Sequence, residues 1–170
     1  ITAGDGNDVI YGGAGNDTFV IDLGSDTITD LSGSDALQVS NGASVDATVT
    51  ADFTATNATT NNASTSDVDL TVDDGINVDL SAVTGGSNGF TVTAAGNTSG
   101  SSLTGSSNGD SLTGSSVADE LQGGLGSDTL IGDAGNDVFV YNSPDELSSD
   151  TISGGDGTDT IRLDTAGTYD

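Results

Sequence analysis

The sequence predicts an all-β chain: a parallel β-solenoid in which two arrays of short repeats flank an irregular β-rich segment. Three observations predict it. Nine-residue windows run without a gap from Ala3 (AGDGNDVIY, GGAGNDTFV, IDLGSDTIT, DLSGSDALQ) and again from Gly96 (GNTSGSSLT, GSSNGDSLT, GSSVADELQ, GGLGSDTLI, GDAGNDVFV), and four residues later resume as DELSSDTIS and GGDGTDTIR. The eighth place is large and apolar in every window: Ile10, Phe19, Ile28, Leu37, Leu103, Leu112, Leu121, Leu130, Phe139, Ile152 and Ile161. The sixth place is aspartate in all but one. Residues 1–38 and 96–170 therefore form two arrays, with 39–95 between them.

Each window has two parts. Its first six places are glycine, small or acidic, which suits a tight turn with residues at positive φ. Its last three alternate polar, apolar, polar, as a short strand does. One inward side chain per window cannot bury a core alone, but stacked windows can, so two windows make one coil of about eighteen residues with a turn on each side.

The sixth-place residues are Asp8, Asp17, Asp26, Asp35, Asp110, Asp119, Asp128, Asp137, Asp150 and Asp159, with Ser101 as the exception. Stacking places alternate windows on one side, so the carboxylates fall into two columns of like charge, which repel. A hard dication between turns removes that repulsion. Ca²⁺ accepts about six to eight oxygens from carboxylates and carbonyls in flexible geometry, whereas Mg²⁺ demands a smaller octahedral shell and keeps its waters. The expected bridging pairs are Asp8 with Asp26, Asp17 with Asp35, Asp110 with Asp128, Asp119 with Asp137, Asp128 with Asp150, and Asp137 with Asp159.

Composition points the same way. The chain has 170 residues, a formal net charge of −26, and Arg162 as its one basic side chain. Without counter-ions such a chain repels itself and stays expanded, so folding and metal binding are expected to be one event. Nothing here neutralises phosphate, which argues against nucleic acid and anionic membranes as partners. Glycine loops without lysine or a following helix argue against phosphate binding. Cys and His are absent, which removes the usual zinc ligands and His-based triads. No apolar run approaches the ~20 residues of a membrane span. Ile1 is not an initiator and the chain opens inside a repeat, as expected of a piece of a longer protein.

Within 39–95 the nine-residue phase is lost. SVDATVTADFTAT alternates Val45, Ala47, Val49, Ala51, Phe53 and Ala55 against polar residues and predicts one long half-buried strand. DVDLTV, INVDLSAV and GFTVT predict further strands, and NATTNNASTS a loop. Few aromatics make a separate core marginal, so irregular rungs continuing one solenoid are expected, with a small inserted β-domain as the alternative. Pro144, in the four-residue insertion, is expected to bulge a turn without breaking the stack. Asp69, Asp73 and Asp74 cluster as glycosidase carboxylates can, but they read better as solvated strand faces. The pairs Thr48/Thr50, Thr54/Thr56 and Thr91/Thr93 read as outward strand threonines rather than an ice-binding face.

The windows resemble those of the RTX (repeats-in-toxin) calcium-binding proteins, secreted mostly by Gram-negative bacteria, over residues 3–38 and 96–162. The resemblance implies a parallel β-roll, calcium held between turns, and folding after export through a type I secretion channel. It implies the sixth-place aspartates as ligands, joined by carbonyls at the first, third and fourth places (Gly12, Ala14 and Gly15; Gly123, Leu125 and Gly126; Gly132, Ala134 and Gly135; Gly154, Asp156 and Gly157) and by Gly4 and Gly6, the second and fourth places of the opening window. Windows 21–29 and 30–38 depart by lacking the leading Gly-Gly.

Fold does not settle function. The expected function is a non-catalytic, calcium-binding structural module of a large secreted bacterial surface protein (an adhesin, surface-layer or filament subunit), with self-association or neighbouring domains of a longer chain as partners. The alternative is an auxiliary calcium-binding and secretion module of an extracellular protease, lipase or polysaccharide-modifying enzyme. A flanking HExxH or GxSxG would favour the second.

Overall fold

The computed structural model describes residues 1–63, 68–143, 146 and 149–164. Pro144 lies outside them, as does part of the expected 57–66 loop. The architecture is all-β, a parallel β-solenoid of about seven turns. Among the described residues every strand pairing is parallel.

The first array supplies β1 (Val9–Ile10), β2 (Thr18–Ile21), β3 (Gly24–Gly33) and β4 (Ala36–Val39). Ile10 lies opposite Ile28 across β1 and β3, and Phe19 opposite Leu37 across β2 and β4. Each pair is separated by two windows, so one coil is two repeats. The eighth-place side chains enter because alternate residues on a strand face opposite ways. Phe19, Ile28 and Leu37 are essentially inaccessible to solvent.

The middle segment joins the same ladder and widens the coil. It supplies β5 (Ala43–Thr54), β6 (Thr60–Asn61), β7 (Val68–Val72), β8 (Val78–Asp79) and β9 (Gly85–Gly86). The first half of β5 pairs with β7, its end pairs with β8, and β6 pairs with β9. Each coil here contributes to three ladders instead of two. Two expectations change. The stretch from Ser44 to Thr56 is not one straight strand: it turns a corner at 50–52, so Ala51 is exposed while Val49 and Phe53 stay buried. The expected loop contains β6, whose Thr60–Asn61 pair with Gln38–Val39 below and Gly85–Gly86 above.

The second array follows as β10 (Thr91–Thr93), β11 (Ser102–Thr104), β12 (Ser111–Thr113), β13 (Glu120–Gln122), β14 (Thr129–Ile131), β15 (Ala134–Gly135), β16 (Val138–Tyr141), β17 (Thr151–Ser153), β18 (Asp156–Gly157) and β19 (Thr160–Leu163). Two long ladders run through it, β10-β12-β14-β17 and β11-β13-β16-β19. The third ladder ends at β9, so the coil narrows back to two faces. Leu103, Leu112, Leu121 and Leu130 form fully buried apolar columns. The last coil lacks that cover: Ile152 is half-buried, and Ile161 is 50% exposed.

Candidate metal-binding corners

In the windows that open on Gly12, Gly105, Gly114, Gly123, Gly132 and Gly154, the sixth-place aspartate folds back over the first place of its own window. A Cβ placed on Gly123 would stand 2.3 Å from Asp128 Oδ2, one on Gly132 2.3 Å from Asp137 Oδ2, and one on Gly154 2.1 Å from Asp159 Oδ2. Glycine is required there for space, because those residues have ordinary backbone angles. The second and fourth places need glycine for conformation: Gly124 and Gly126 have φ of +94° and +124°, which L side chains rarely adopt. Among the described residues Asp133 is the one non-glycine at positive φ (70°), a region aspartate tolerates better than most residues.

The structure brings together all six expected aspartate pairs, through the backbone. The N–H of Asp8 donates to Asp26 Oδ1 at 2.9 Å, Asp17 to Asp35 at 2.8 Å, Asp110 to Asp128 at 2.7 Å and Asp119 to Asp137 at 2.9 Å. Across the insertion, Asp128 donates to Asp150 at 2.9 Å and Asp137 to Asp159 at 3.1 Å. One carboxylate oxygen thus holds the coil below, and the other is left to the turn.

That second oxygen separates the corners into kinds. Oδ2 of Asp17, Asp26, Asp128, Asp137 and Asp150 is buried with no hydrogen-bond partner. A buried, unpaired carboxylate oxygen is costly, and a cation beside it removes the cost. These corners fit a hard, oxygen-seeking dication on that ground. Among the described residues no three acidic side chains gather at one point, so most of any shell must come from turn carbonyls such as those of Gly12, Ala14 and Gly15. Not every expected carbonyl is free: that of Gly126 accepts the Ser149 hydroxyl at 2.6 Å.

Elsewhere Oδ2 is already satisfied. Asp35 Oδ2 accepts the Ser32 N–H at 3.0 Å. Asp110 Oδ2 accepts the N–H and hydroxyl of Ser106, and Asp119 Oδ2 those of Ser115. The sequence reading grouped these three with the others because it judged the sixth place alone. The signal that distinguishes the last two was visible, as serine at the second place of GSSNGDSLT and GSSVADELQ. Two further acids act as clasps that sequence reasoning missed. Asp30 accepts the N–H groups of Gly12 (2.9 Å) and Gly13 (2.7 Å). Asp74 accepts those of Thr98 (2.6 Å) and Ser99 (2.8 Å), and these backbone hydrogen bonds hold its carboxyl below the usual range.

Burial controls the ionisation of the inner aspartates. It pushes Asp128 up to about 7, opposed by the Asp110 N–H and reinforced by the charges of Asp150, Asp110 and Glu146. It raises Asp110 to about 6 despite hydrogen bonds from Ser106 and Phe90. Asp137 is raised by burial first, against the Asp119 N–H, with the neighbouring carboxylates adding to it.

The model of the RTX calcium-binding nonapeptide repeat matches the chain in four copies, over residues 1–28, 104–140 and 147–165. It leaves out 29–38 and 96–103, whose windows depart from the Gly-Gly or aspartate pattern. Neither the curated proteins nor the solved structures gave a match. Nonapeptide windows in phase, glycine cradles under buried aspartates and a parallel solenoid agree with that match: the chain belongs to the RTX calcium-binding nonapeptide-repeat family.

Proposed function

We propose that this chain is a calcium-stiffened structural module of a large secreted bacterial surface protein, of adhesin, surface-layer or filament type, whose repeat arrays fold on calcium outside the cell. The observation that carries the calcium part is the set of buried Oδ2 atoms without a partner at Asp17, Asp26, Asp128, Asp137 and Asp150. The turns of Asp17, Asp26, Asp128 and Asp137 each contain a residue at positive φ (Gly13 and Gly15, Gly24, Gly124 and Gly126, Asp133 and Gly135), and Ca²⁺ takes mixed shells of carboxylate and carbonyl oxygens. Bound ions would also offset part of the −26 charge, so chelation should expand the arrays. Repeats of this family are characteristic of secreted extracellular proteins. A continuous parallel ladder with outward Thr, Ser and Asp supports a structural role, because each rung of a solenoid is held by its neighbours along the whole stack.

Two measurements test the proposal. Far-UV circular dichroism should show β signal rising with calcium from an EGTA baseline, and an unchanged spectrum sinks the calcium part. Electron microscopy of the purified chain in millimolar calcium should show fibres or a lattice, whereas dispersed monomers count against the surface-assembly part.

A further inference from the structure

The corners at 105–110 and 114–119 keep the nonapeptide phase but not its architecture. Asp110 Oδ2 accepts the Ser106 N–H at 2.6 Å and its hydroxyl at 2.9 Å, while Oδ1 accepts the Phe90 N–H at 2.7 Å. Asp119 repeats the arrangement: Oδ2 accepts the Ser115 N–H at 2.6 Å and hydroxyl at 2.8 Å, and Oδ1 the Ser101 N–H at 2.7 Å. Both carboxylates are almost fully buried and both oxygens of each are occupied by neutral donors. The backbone differs in step. No residue between Gly96 and Gly124 has positive φ, whereas Gly13, Gly124 and Gly155 do at the place these serines fill.

Resting on the calcium reading above, we infer that Ser106 and Ser115 are built-in substitutes for the cation, so that these two corners take no calcium. The serine N–H and hydroxyl converge on the oxygen that stands unpaired at Asp17 and Asp128 in two of the Gly-Gly corners. A metal would have to break two short hydrogen bonds and re-form the turn. The expected ion pairs change accordingly. Asp110 and Asp119 offer nothing upward to Asp128 and Asp137 beyond their N–H groups, so ions at those upper aspartates are held from the Asp150 and Asp159 side.

The consequence is positional. Coils from Phe90 to Gln122 close without metal and lie directly on the three-faced coils, whose cores are Val45, Val49, Phe53, Leu70, Val78 and Leu80. This stack is the calcium-independent middle of the molecule. The Gly-Gly windows on either side assemble on it when calcium arrives, and so avoid the costly step of nucleating a solenoid from an open chain.

Hydrogen–deuterium exchange on the full chain, in EGTA and in saturating calcium, tests this. Peptides over 90–122 should be equally protected in both conditions, while those over 12–20, 123–139 and 150–162 should exchange at least about tenfold slower with calcium. Protection of 90–122 that vanishes in EGTA together with the flanks overturns the serine inference. Flanks equally protected in both conditions would instead overturn the calcium reading, so the two failures are distinguishable. The double variant Ser106→Gly, Ser115→Gly should lose protection of 90–122 in EGTA, and unchanged protection there overturns the inference. Ser106→Thr with Ser115→Thr retains both hydroxyls and should keep protection in EGTA, and losing it as the glycine pair does would also overturn it.

Discussion

Asp128→Asn should act in opposite directions with and without calcium. Asp128 Oδ1 accepts the Asp110 N–H at 2.7 Å, and an amide oxygen can keep that bond. Oδ2 is buried and unpaired. Without metal, the substitution replaces an uncompensated buried charge with a neutral amide and relieves about 1–3 kcal/mol of desolvation cost. The coil over 123–139 opens in EGTA, and at about 1.4 kcal/mol per factor of ten its closed form should there become about 5- to 150-fold more populated, read as slower hydrogen exchange. For a chain of this size about 1 kcal/mol corresponds to roughly 2–4 °C of melting temperature. In calcium the same change removes a ligand. One site filled at a hundred times its Kd contributes about 2.7 kcal/mol, so the calcium-induced rise in Tm should shrink by about 5–10 °C. Hydrogen exchange over 123–139 in EGTA reads the first quantity, and thermal melts in calcium followed by circular dichroism read the second. Asp119→Asn is the control: its Oδ2 already accepts the Ser115 N–H and hydroxyl, so an amide NH₂ would oppose a donor. That variant should melt lower in both conditions, with its calcium response intact. If Asp128→Asn left 123–139 no better protected in EGTA, or kept the full calcium response, the orphaned oxygen would not be what holds the ion.

Three further outcomes are expected. Gly132→Ala places a Cβ 2.3 Å from Asp137 Oδ2 and should reduce calcium uptake by about one ion in equilibrium dialysis, whereas Gly13→Ala, which meets nothing within 4 Å, should cost only about 1–2 kcal/mol of backbone strain. Acid should stabilise the metal-free chain: Asp110 and Asp128 are raised from 3.8 to about 6 and about 7, so the folded state holds protons the unfolded state has released. That stability is complete below about pH 4 and is lost as pH rises toward 7. Melts in EGTA should therefore improve on acidification from pH 8 to 5, while calcium affinity, titrated over the same range, should fall as protons compete for the same oxygens. Phe53→Ala, at the corner of β5, should cost about 3–5 kcal/mol in either condition, because it empties a fully buried aromatic site unrelated to metal.

The periodic parts of this molecule were legible because a nine-residue period is a geometric statement. Once Phe19 must lie over Leu37, the positions of Asp17 and Asp35 follow, and they were foreseen. Residues 39–95 were harder to read because alternation reports which side of a strand is apolar but not where the strand bends. Ala51 fits the alternating pattern, yet it lies at the corner between the ladders shared with β7 and β8. The sixth place is incomplete in a different way. Aspartate there marks a turn that must satisfy a carboxylate, and a cation is one of several ways to do so. Ser106, Ser115 and Ser32 are others, supplying N–H groups and, in two cases, hydroxyls to the same oxygen. Whether a corner stands open to a cation therefore depends on the whole turn, and serine at the second place marks two corners that are closed. Serine there lets the carboxylate close on its own turn, whereas glycine, as in the turns of Asp17 and Asp128, supplies no hydroxyl and leaves Oδ2 unpaired. On that reasoning, a window with aspartate at the sixth place and serine at the second is a structural rung rather than a calcium site.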